Sequence, residues 1–385
     1  MFSAIAISNG AIDTHGTRDA YEMMSQLKLS TCARGIFFSS MMTLSSGALA
    51  QVEISDPVIL APLEGGTVAY AYDINDAGFV VGLSDSDSPN LQPVVWDNSG
   101  VPIALPIPIE CSVSAVPYLI NNKGDAIGNC IPERTTNVFW GSDGTIEITY
   151  PLSGDSELFF RGMNNRGIAV GDSNPTNFTY STAVLWNPGH ELEILVPLPG
   201  DDVAIATDVN NGGTAIGRSG WWDLDYNNFM KPVRWDRFGN PTQLELPPGP
   251  NTCNNAFPRA INNNNVATGA CAAPGYGDAV RWERDGSASL LEHPPGMAAD
   301  SADINDRGQI AGTVFTGEIA NDWNGLTIPV IWDANNKMIR LPIPDNRPEG
   351  ERSEATDINN SGQVLGFIRG WNTYASLVWT VRSDQ

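Results

Sequence analysis

Histidine, cysteine and basic residues are all scarce in this chain of 385 residues. Its 21 Lys and Arg face 44 Asp and Glu, which leaves a net charge of −23. A surface this acidic repels phosphate backbones, so nucleic acid is excluded as an expected partner. Only His190 and His293 lie beyond residue 50, and neither belongs to a nucleophile motif. Phosphate-cradling and dinucleotide-binding motifs are also absent, so the sequence favours a binding or scaffold role over an enzyme.

Long apolar runs and helical periodicity are missing as well. Beyond residue 50 no apolar stretch is long enough to span a bilayer, and no amphipathic pattern has a period of 3.6 residues. The chain instead alternates short β-branched segments with turns drawn from its 38 Gly and 27 Pro. These features predict an all-β protein without a membrane span.

The first 50 residues are predicted to be a leader. Residues 1–22 match no recognisable pattern and form an uncertain extension. Residues 23–50 combine Lys28 and Arg34 with a short apolar segment and end in Ala48-Leu49-Ala50, which is typical of a secretory signal peptide cleaved after Ala50. We therefore expect residues 51–385 to form one secreted domain, extracellular or periplasmic, and monomeric.

An asparagine-glycine repeat organises the rest of the chain. Seven anchor asparagines have Gly seven residues later, and all but one have Gly three residues later; the anchors are Asn75, Asn121, Asn164, Asn210, Asn262, Asn305 and Asn359. Asn265 takes the place of one Gly, and Asn tolerates the same left-handed backbone. Apolar segments on both sides predict that each Asn-x-x-Gly is a hairpin turn, so we interpret the anchors as turn residues and not as a ligand site.

Each repeat also predicts a third and a fourth strand. An aliphatic run ending in Trp follows every hairpin, at Trp96, Trp140, Trp186, Trp235, Trp282, Trp332 and Trp379. We interpret these tryptophans as packing between repeats. A second turn and a strand ending in Leu-Pro or Pro-Pro follow most of them. The mean period of about 47 residues is that of propeller blades.

The repeats predict a seven-bladed β-propeller with four antiparallel strands per blade, with a linear β-solenoid as the alternative. The last repeat stops before its fourth strand, whereas Pro57-Val58-Ile59-Leu60 resembles such a strand. We expect this N-terminal strand to complete the last blade. Closure of this kind removes exposed sheet edges and argues against the solenoid.

The hairpin Asp357-Ile358-Asn359-Asn360-Ser361-Gly362, followed by Gly366 and then by aliphatic-Trp, resembles the HAF family of bacterial extracellular repeats. The resemblance covers residues 57–385. The chain departs from the family in lacking its His-Ala-Phe and having Pro-Val-x-Trp or Ala-Val-x-Trp instead. The resemblance implies secretion and a repeat fold, and it implies no activity.

Four cysteines lie beyond the leader, at matching places around two anchors. Cys111 and Cys130 flank Asn121, and Cys253 and Cys271 flank Asn262. The loop entering strand one and the loop leaving strand two emerge on the same face, so we predict two disulfides, Cys111–Cys130 and Cys253–Cys271. A zinc site is the rival, but no His accompanies either pair.

The longest loops indicate where a ligand would bind. From the second Gly of the repeat to its Trp the chain spends 18 residues in repeat four and 20 in repeat six, against 12 to 15 elsewhere. The candidate ligand-binding residues are assigned to these loops and to that of repeat seven: Trp221, Trp222, Tyr226, Trp323, Trp371 and Tyr374. Such aromatic faces suit sugar rings, peptides or cations, so a polysaccharide or an extracellular protein is the expected partner. The alternative is that these aromatics only pack their own loops.

Two acidic patterns raise further hypotheses. Asp223, Asp225 and Asn227 place oxygen ligands at alternate positions, as Asp85 and Asp87 do more weakly, so calcium is the one cofactor considered, although neither stretch continues as an EF-hand loop.

Four aspartates stand two residues before an anchor, on the strand expected innermost: Asp73, Asp208, Asp303 and Asp357. They could run glycosidase or lyase chemistry, but a bond to the adjacent turn is the favoured interpretation. A structural surface protein without a discrete site is a third possibility.

Overall fold

Seven antiparallel sheets, one for each predicted repeat, make up the fold. The structure is a computed structural model that describes residues 52–132, 135–176, 180–222, 228–248, 253, 255–273, 276–316, 326–344, 352–370 and 374–383. Within these ranges every regular element is a β-strand, so the all-β prediction is confirmed.

The strands follow one another in the order that the repeats predict. Two short strands come first, β1 (Val52–Ile54) and β2 (Val58–Ile59). Blades one to three contain β3 (Ala69–Ile74), β4 (Val80–Ser84), β5 (Gln92–Trp96) and β6 (Pro102–Ala104); β7 (Ser114–Ile120), β8 (Ala126–Ile131), β9 (Asn137–Trp140) and β10 (Ile146–Thr149); β11 (Glu157–Met163), β12 (Ala169–Asn174), β13 (Thr182–Trp186) and β14 (Glu193–Ile194). Blades four to six contain β15 (Val203–Val209), β16 (Ala215–Trp222), β17 (Asn228–Trp235) and β18 (Pro241–Gln243); β19 (Asn255–Ile261), β20 (Ala267–Ala273), β21 (Tyr276–Trp282) and β22 (Ala288–Leu290); β23 (Ala298–Ile304), β24 (Ile310–Thr316), β25 (Leu326–Trp332) and β26 (Met338–Arg340). Blade seven contains β27 (Arg352–Ile358), β28 (Gln363–Arg369) and β29 (Tyr374–Ser383).

Blade seven is completed from the N-terminal side of the described chain. Strand β2 pairs with β29, with Val58 opposite Val378, as the sequence predicted. Strand β1 pairs with the end of the same strand, with Ile54 opposite Val381. The first strands of successive blades contact one another around the whole ring, β27 against β3 included, and therefore surround a central channel. The fold is a closed seven-bladed β-propeller and not a solenoid.

The repeated tryptophans join neighbouring blades. All seven are buried, with at most 4% of their surface exposed. In six of them the indole N–H donates to a main-chain carbonyl that follows the fourth strand of the preceding blade, as Trp282 Nε1 does to Glu245 at 2.8 Å. Trp186 donates instead to His190 in its own blade, at 3.1 Å. The interpretation of these residues as packing between blades is confirmed.

The hairpin turns have the backbone that the Asn-x-x-Gly spacing requires. The glycine three residues after each anchor has a φ between 75° and 85° in the six blades that possess one. Asn265 has a φ of 62° at the equivalent place, so its interpretation as a left-handed substitute is confirmed.

Both predicted disulfides are present. Cys111 is bonded to Cys130 with a Cα–Cα distance of 4.9 Å, and Cys253 to Cys271 with 5.7 Å. Each disulfide ties the segment before the first strand of a blade to the second strand, as the spacing around the anchors indicated. In the described part of the chain there is no helix long and apolar enough to cross a membrane.

Candidate functional site

The anchor asparagines form a closed hydrogen-bonded ring at one end of the channel, here named the turn end. At Asn164, for example, Oδ1 accepts the main-chain N–H groups of Arg166 and Ile168. Each Nδ2 donates to the main-chain carbonyl of the anchor in the next blade, and Asn359 closes the ring by donating to Asn75 at 2.8 Å. All seven side chains are buried. Because their polar groups are used in this way, the anchors are turn and ring residues, as interpreted from the sequence.

A second ring lies one residue further along each turn. Its members are always Asn or Asp: Asp76, Asn122, Asn165, Asn211, Asn263, Asp306 and Asn360. The main-chain N–H of each member donates to Oδ1 of the member in the next blade, over 2.7 to 2.9 Å. The need for a side-chain Oδ1 acceptor explains why this position is always Asn or Asp. The sequence analysis did not predict this second ring. The turn end is therefore built to hold the blades together.

The four aspartates that precede the anchors form a third layer that also clamps blades. In each case one carboxylate oxygen accepts a main-chain N–H from the following blade, as Asp208 Oδ2 does from Ile261 at 2.8 Å and Asp73 Oδ2 from Ile120 at 2.6 Å. The favoured sequence interpretation, a bond to the adjacent turn, describes only part of this arrangement. In Asp73, Asp208 and Asp357, Oδ1 accepts the N–H of the next residue, which leads into the turn, while Oδ2 reaches the next blade. Three of the four aspartates come from consecutive blades, six, seven and one: Asp303, Asp357 and Asp73.

Burial and mutual repulsion disfavour the charged form of these carboxyls. Burial raises the pKa of Asp208 to about 7. Burial, the charge of Asp73 and the charge of Asp303 raise the pKa of Asp357 well above its usual range. Burial also raises the pKa of Asp73. An aspartate has a pKa of about 3.9 in the unfolded chain, so the folded state binds more protons than the unfolded state between that value and about 7.

We predict that Asp208→Asn flattens the dependence of stability on pH. The contribution of a carboxyl with a raised pKa is present below about pH 4 and is lost as the pH rises towards 7, because the folded state must then give up a proton that it holds. The measurement is the melting temperature at several values from pH 4.5 to pH 8. The wild type should lose more stability across this range than Asp208→Asn, whereas the exposed Asp202→Asn should follow the wild type. Equal slopes for all three proteins would contradict the assignment.

A β-bulge in every first strand changes the direction of one side chain. The register shifts in each blade between the residues four and two before the anchor. The extra residues are Tyr72, Tyr118, Arg161, Thr207, Arg259, Ala302 and Thr356, and all of them are partly exposed although they lie on the innermost strands. Bulges re-aim side chains in this manner and often lie beside functional sites. The strands that surround the channel therefore contain a re-aimed position whose residue varies from blade to blade.

Two of these bulge residues are arginines, and together with a third arginine from the blade between them they form a group that we name the arginine sector (Arg161, Arg218 and Arg259). Arg161 and Arg259 are bulge residues of blades three and five, and Arg218 lies on β16 between them. Arg161 Nε donates to Asp172 Oδ1. Arg259 Nη2 donates to Asp300 Oδ2 at 2.7 Å. We name the end of the channel where the first strands begin the loop end. The guanidinium groups contact Asp172, Asp300 and Phe257, which lie level with the third residue of the seven-residue first strands and therefore nearer the loop end than the turns.

An aromatic group lies on the other side of the ring, between blades seven and one, and we name it the aromatic sector (Tyr70, Phe367 and Tyr374). The ring centroids of Tyr70 and Tyr374 are 4.6 Å apart. Phe367 and Tyr374 are stacked, with centroids 5.5 Å apart and an interplanar angle of 15°. Glu354 lies opposite Phe367 in the sheet, and burial raises its pKa. The loop end thus has a basic side and an aromatic side.

The residues predicted from the sequence as a ligand site are placed only in part. Tyr374 belongs to the aromatic sector, and Trp221 lies at the loop end of β16 with 41% of its surface exposed. Trp221, Trp222 and Tyr374 were assigned to loops, but all three belong to strands, because β16 and β17 extend further than in the other blades and Tyr374 begins β29. Tyr226, Trp323 and Trp371 lie outside the described residues.

The possible calcium ligands Asp223, Asp225 and Asn227 also lie outside the described residues. Within the described ranges no group of three or more His, Cys, Asp or Glu is arranged to hold a metal ion. Asp85 from the weaker pattern instead accepts hydrogen bonds from the main chain of Thr67 and Val68, both at 2.7 Å.

The two histidines beyond the leader lie apart from each other and from the channel carboxyls. His293 Nε2 lies 2.9 Å from Asp278 Oδ1 in blade five. His190 lines a surface depression of about 440 Å³ between the outer strands of blades two and three. Among the described residues, neither histidine has a Ser, Thr or Cys as a hydrogen-bond partner of its ring.

Fold and channel define the protein as a seven-bladed β-propeller. No family model matches the chain, and no curated protein does. Among solved structures it is similar to a catalytically inactive virginiamycin B lyase from Staphylococcus aureus with quinupristin, with 10% identity over 85% of this chain and 99% of that one and a TM-score of 0.50. It is also similar to the β-propeller domain of the Trilobed protease from Pyrococcus furiosus, with 10% identity over 82% and 98% and a TM-score of 0.54. An oligogalacturonate lyase in complex with manganese has 11% identity over 81% and 88% and a TM-score of 0.53. At such identities these similarities show the fold alone.

The sequence reading missed the arginine sector, although a signal for it exists. When the repeats are aligned by their anchors, Arg161 and Arg259 fall three residues before an anchor and Arg218 falls eight after. The residues eight after the other anchors are Leu83, Asn129, Asp172, Ala270, Thr313 and Phe367. Variation at an aligned strand position is typical of a functional site, because the positions that build the fold are the same in every repeat.

Proposed function

We propose that this protein is a secreted binding module that holds a glycan at the loop end of its channel. The observation that carries the proposal is the aromatic sector, in which the ring of Tyr374 contacts those of Tyr70 and Phe367. Sugar rings bury their apolar faces against such side chains, while nearby polar groups bond their hydroxyls. Trp221 offers a further exposed aromatic surface at the same end of the ring.

Export to an oxidising compartment fits several features of the chain. Two disulfides are formed, and such bonds persist outside the cytoplasm. The signal-peptide pattern of residues 23–50 and the resemblance of the repeat to the HAF family support the same location. An extracellular or periplasmic position would give the module access to polysaccharides.

A carbohydrate-active enzyme is the second candidate function. The observation in its favour is the raised pKa of Asp357 and Asp208, because a carboxyl that keeps its proton near neutral pH can act as a general acid. The hydrogen bonds of these carboxyls to main-chain N–H groups of the next blade favour the clamping role instead. The binding module is therefore the first choice.

We predict that Trp221→Ala and Tyr374→Ala each weaken glycan binding about tenfold or more, because each removes an aromatic face against which a sugar packs. A glycan array would identify the ligand of the protein from residue 51 onward, and calorimetry with and without calcium would measure the affinities. Phe238→Ala is the matched control, since Phe238 is 75% exposed in the turn between β17 and β18 at the other end of the ring.

The state of the glycan after incubation separates the two candidate functions. Intact glycan, with binding lost in Trp221→Ala and kept in Phe238→Ala, would support the module. Cleaved glycan would favour the enzyme, and absence of binding to any glycan on the array would refute the glycan proposal.

A further inference from the structure

The arginine sector is unusual in a chain with 44 acidic and 21 basic residues. Its three members come from the consecutive blades three, four and five, and the ring places these blades side by side. Arg161 and Arg259 are the extra residues of the bulges in β11 and β19, on strands that surround the channel. Arg218 lies opposite Ile205 in the sheet of the blade between them. The fold therefore gathers positive charge on one side of the channel.

Two members of the sector are neutralised by aspartates. Arg161 is paired with Asp172, whose Oδ2 also accepts a hydrogen bond from Asn174 at 2.6 Å. Arg259 is paired with Asp300 at 2.7 Å. These contacts hold two guanidinium groups in fixed positions at the channel wall and offset their charges.

The third member has no such partner. The guanidinium carbon of Arg218 lies 5.2 Å from the ring centroid of Phe257, and its Nε is buried without a hydrogen-bond partner among the described residues. Burial and the charge of Arg161 lower the pKa of Arg218 to about 10, which still leaves the side chain protonated at neutral pH. A buried cation with an unused donor disfavours the folded state unless an anion reaches it.

We propose that the arginine sector is a subsite for the carboxylate of a sugar acid, with the Arg218 guanidinium as its principal donor. This inference rests on the proposed glycan-binding function and names the chemical class of the glycan. The planar guanidinium fork matches a carboxylate. One unpaired positive charge matches one carboxylate, whereas a doubly charged phosphate would also meet Asp172 and Asp300. The aromatic sector across the channel would receive the ring of the same ligand or of the next sugar.

The test compares uronic-acid oligosaccharides with their methyl esters, which have the same length and shape but no charge. Galacturonate, glucuronate and mannuronate oligomers and their esters would be titrated into the wild type and into Arg218→Leu. The wild type should bind at least one acid about tenfold or more tightly than its ester, and Arg218→Leu should weaken binding of that acid by about tenfold to a hundredfold while leaving the ester unchanged.

Two further variants keep the test decisive. Arg340→Leu changes the charge equally on the exposed outermost strand β26 and should bind the acid like the wild type. Arg218→Gln retains a polar side chain in case the leucine variant fails to fold. Without ligand, either Arg218 variant should melt at or above the wild-type temperature, because it removes a buried charge that lacks a partner.

The outcomes distinguish a failure of the proposed carboxylate subsite from a failure of the proposed glycan-binding function. Equal binding of acid and ester, with both lost in Tyr374→Ala, would overturn the carboxylate subsite and leave the glycan module intact. Acid-selective binding that survives in Arg218→Leu and Arg218→Gln would assign the charge recognition elsewhere and refute the role of Arg218. Failure of both acids and esters to bind would count against both proposals.

Discussion

Gly171→Ala should cost more than about 4 kcal/mol of unfolding free energy, which is enough to prevent a normal blade three. A Cβ at this position would lie 1.8 Å from the main-chain carbonyl oxygen of Phe159 and 2.8 Å from the Cα of Phe160. Both obstacles are backbone atoms of the bulged first strand, so no rotamer change can relieve the clash. In urea unfolding monitored by tryptophan fluorescence, the midpoint of the variant should be much lower than that of the wild type, or the variant should be insoluble.

The matched control is Gly277→Ala on β21. There the nearest atom to a new Cβ is the carbonyl oxygen of Cys271 at 3.7 Å, which is an ordinary van der Waals contact. This variant should stay within about 0.5 kcal/mol of the wild type or become slightly more stable, because alanine restricts the unfolded chain. A Gly171→Ala protein as stable as Gly277→Ala would mean that strands one and two are not held as closely as described.

The seven glycines of this type show how far the sequence could predict the fold. Their recurrence seven residues after each anchor helped to predict the hairpins and the number of blades, and the missing fourth strand of the last repeat predicted the closing strand near Val58. The sequence does not show why these positions must be glycine. A Cβ there would clash with the carbonyl oxygen five residues before the anchor, and that carbonyl belongs to a strand whose register is shifted by a bulge. A bulge leaves no consistent residue type in this chain, since its extra residue is Tyr, Arg, Thr or Ala.

The candidate site was less predictable than the fold, because it depends on which side chains from different blades are brought together. Tyr374 and Trp221 could be singled out because aromatics outside the repeated Trp position are conspicuous in one sequence. Arg218 was missed, because the variation at its aligned position indicates a site only when the side chains from blades three and five that stand beside it are known. Without the bulges, Arg161 and Arg259 would be assigned to the wrong face of their strands, since a one-residue shift exchanges the two faces.

The uniform and variable positions of this propeller have different physical roles. Anchors, glycines and tryptophans repeat because every blade must bond and pack against the next in the same way. The bulge position escapes this demand, since its side chains make different contacts from blade to blade: Thr207 bonds the Pro258 carbonyl, whereas Arg259 pairs with Asp300. Arginines on one side and aromatics on the other can therefore coexist in a ring of nearly identical units, and the fold alone does not determine the ligand.

Asn164→Ala should lower the free energy of unfolding by about 3 kcal/mol, since it removes three buried hydrogen bonds worth about 1 kcal/mol each. The amide accepts from Arg166 and Ile168 and donates to the Asn210 carbonyl at 3.0 Å, so one side chain both closes a turn and joins two blades. Urea unfolding would measure the loss. The exposed turn residue Asn98 is the control, and Asn98→Ala should remain within about 0.5 kcal/mol of the wild type.

Asn164→Asp separates the bond across blades from the bonds within the turn. The variant keeps the acceptor oxygen for Arg166 and Ile168, but an ionised carboxylate faces the Asn210 carbonyl without a proton to donate. Its stability relative to the wild type should therefore be poor at pH 8 and should recover towards pH 4, where a protonated carboxyl can donate again. Asn164→Ala should show no such recovery. If Asn164→Asp were as stable as the wild type at every pH while Asn164→Ala was destabilised, the bonds within the turn alone would account for the role of Asn164, and the ring would add no measurable stability.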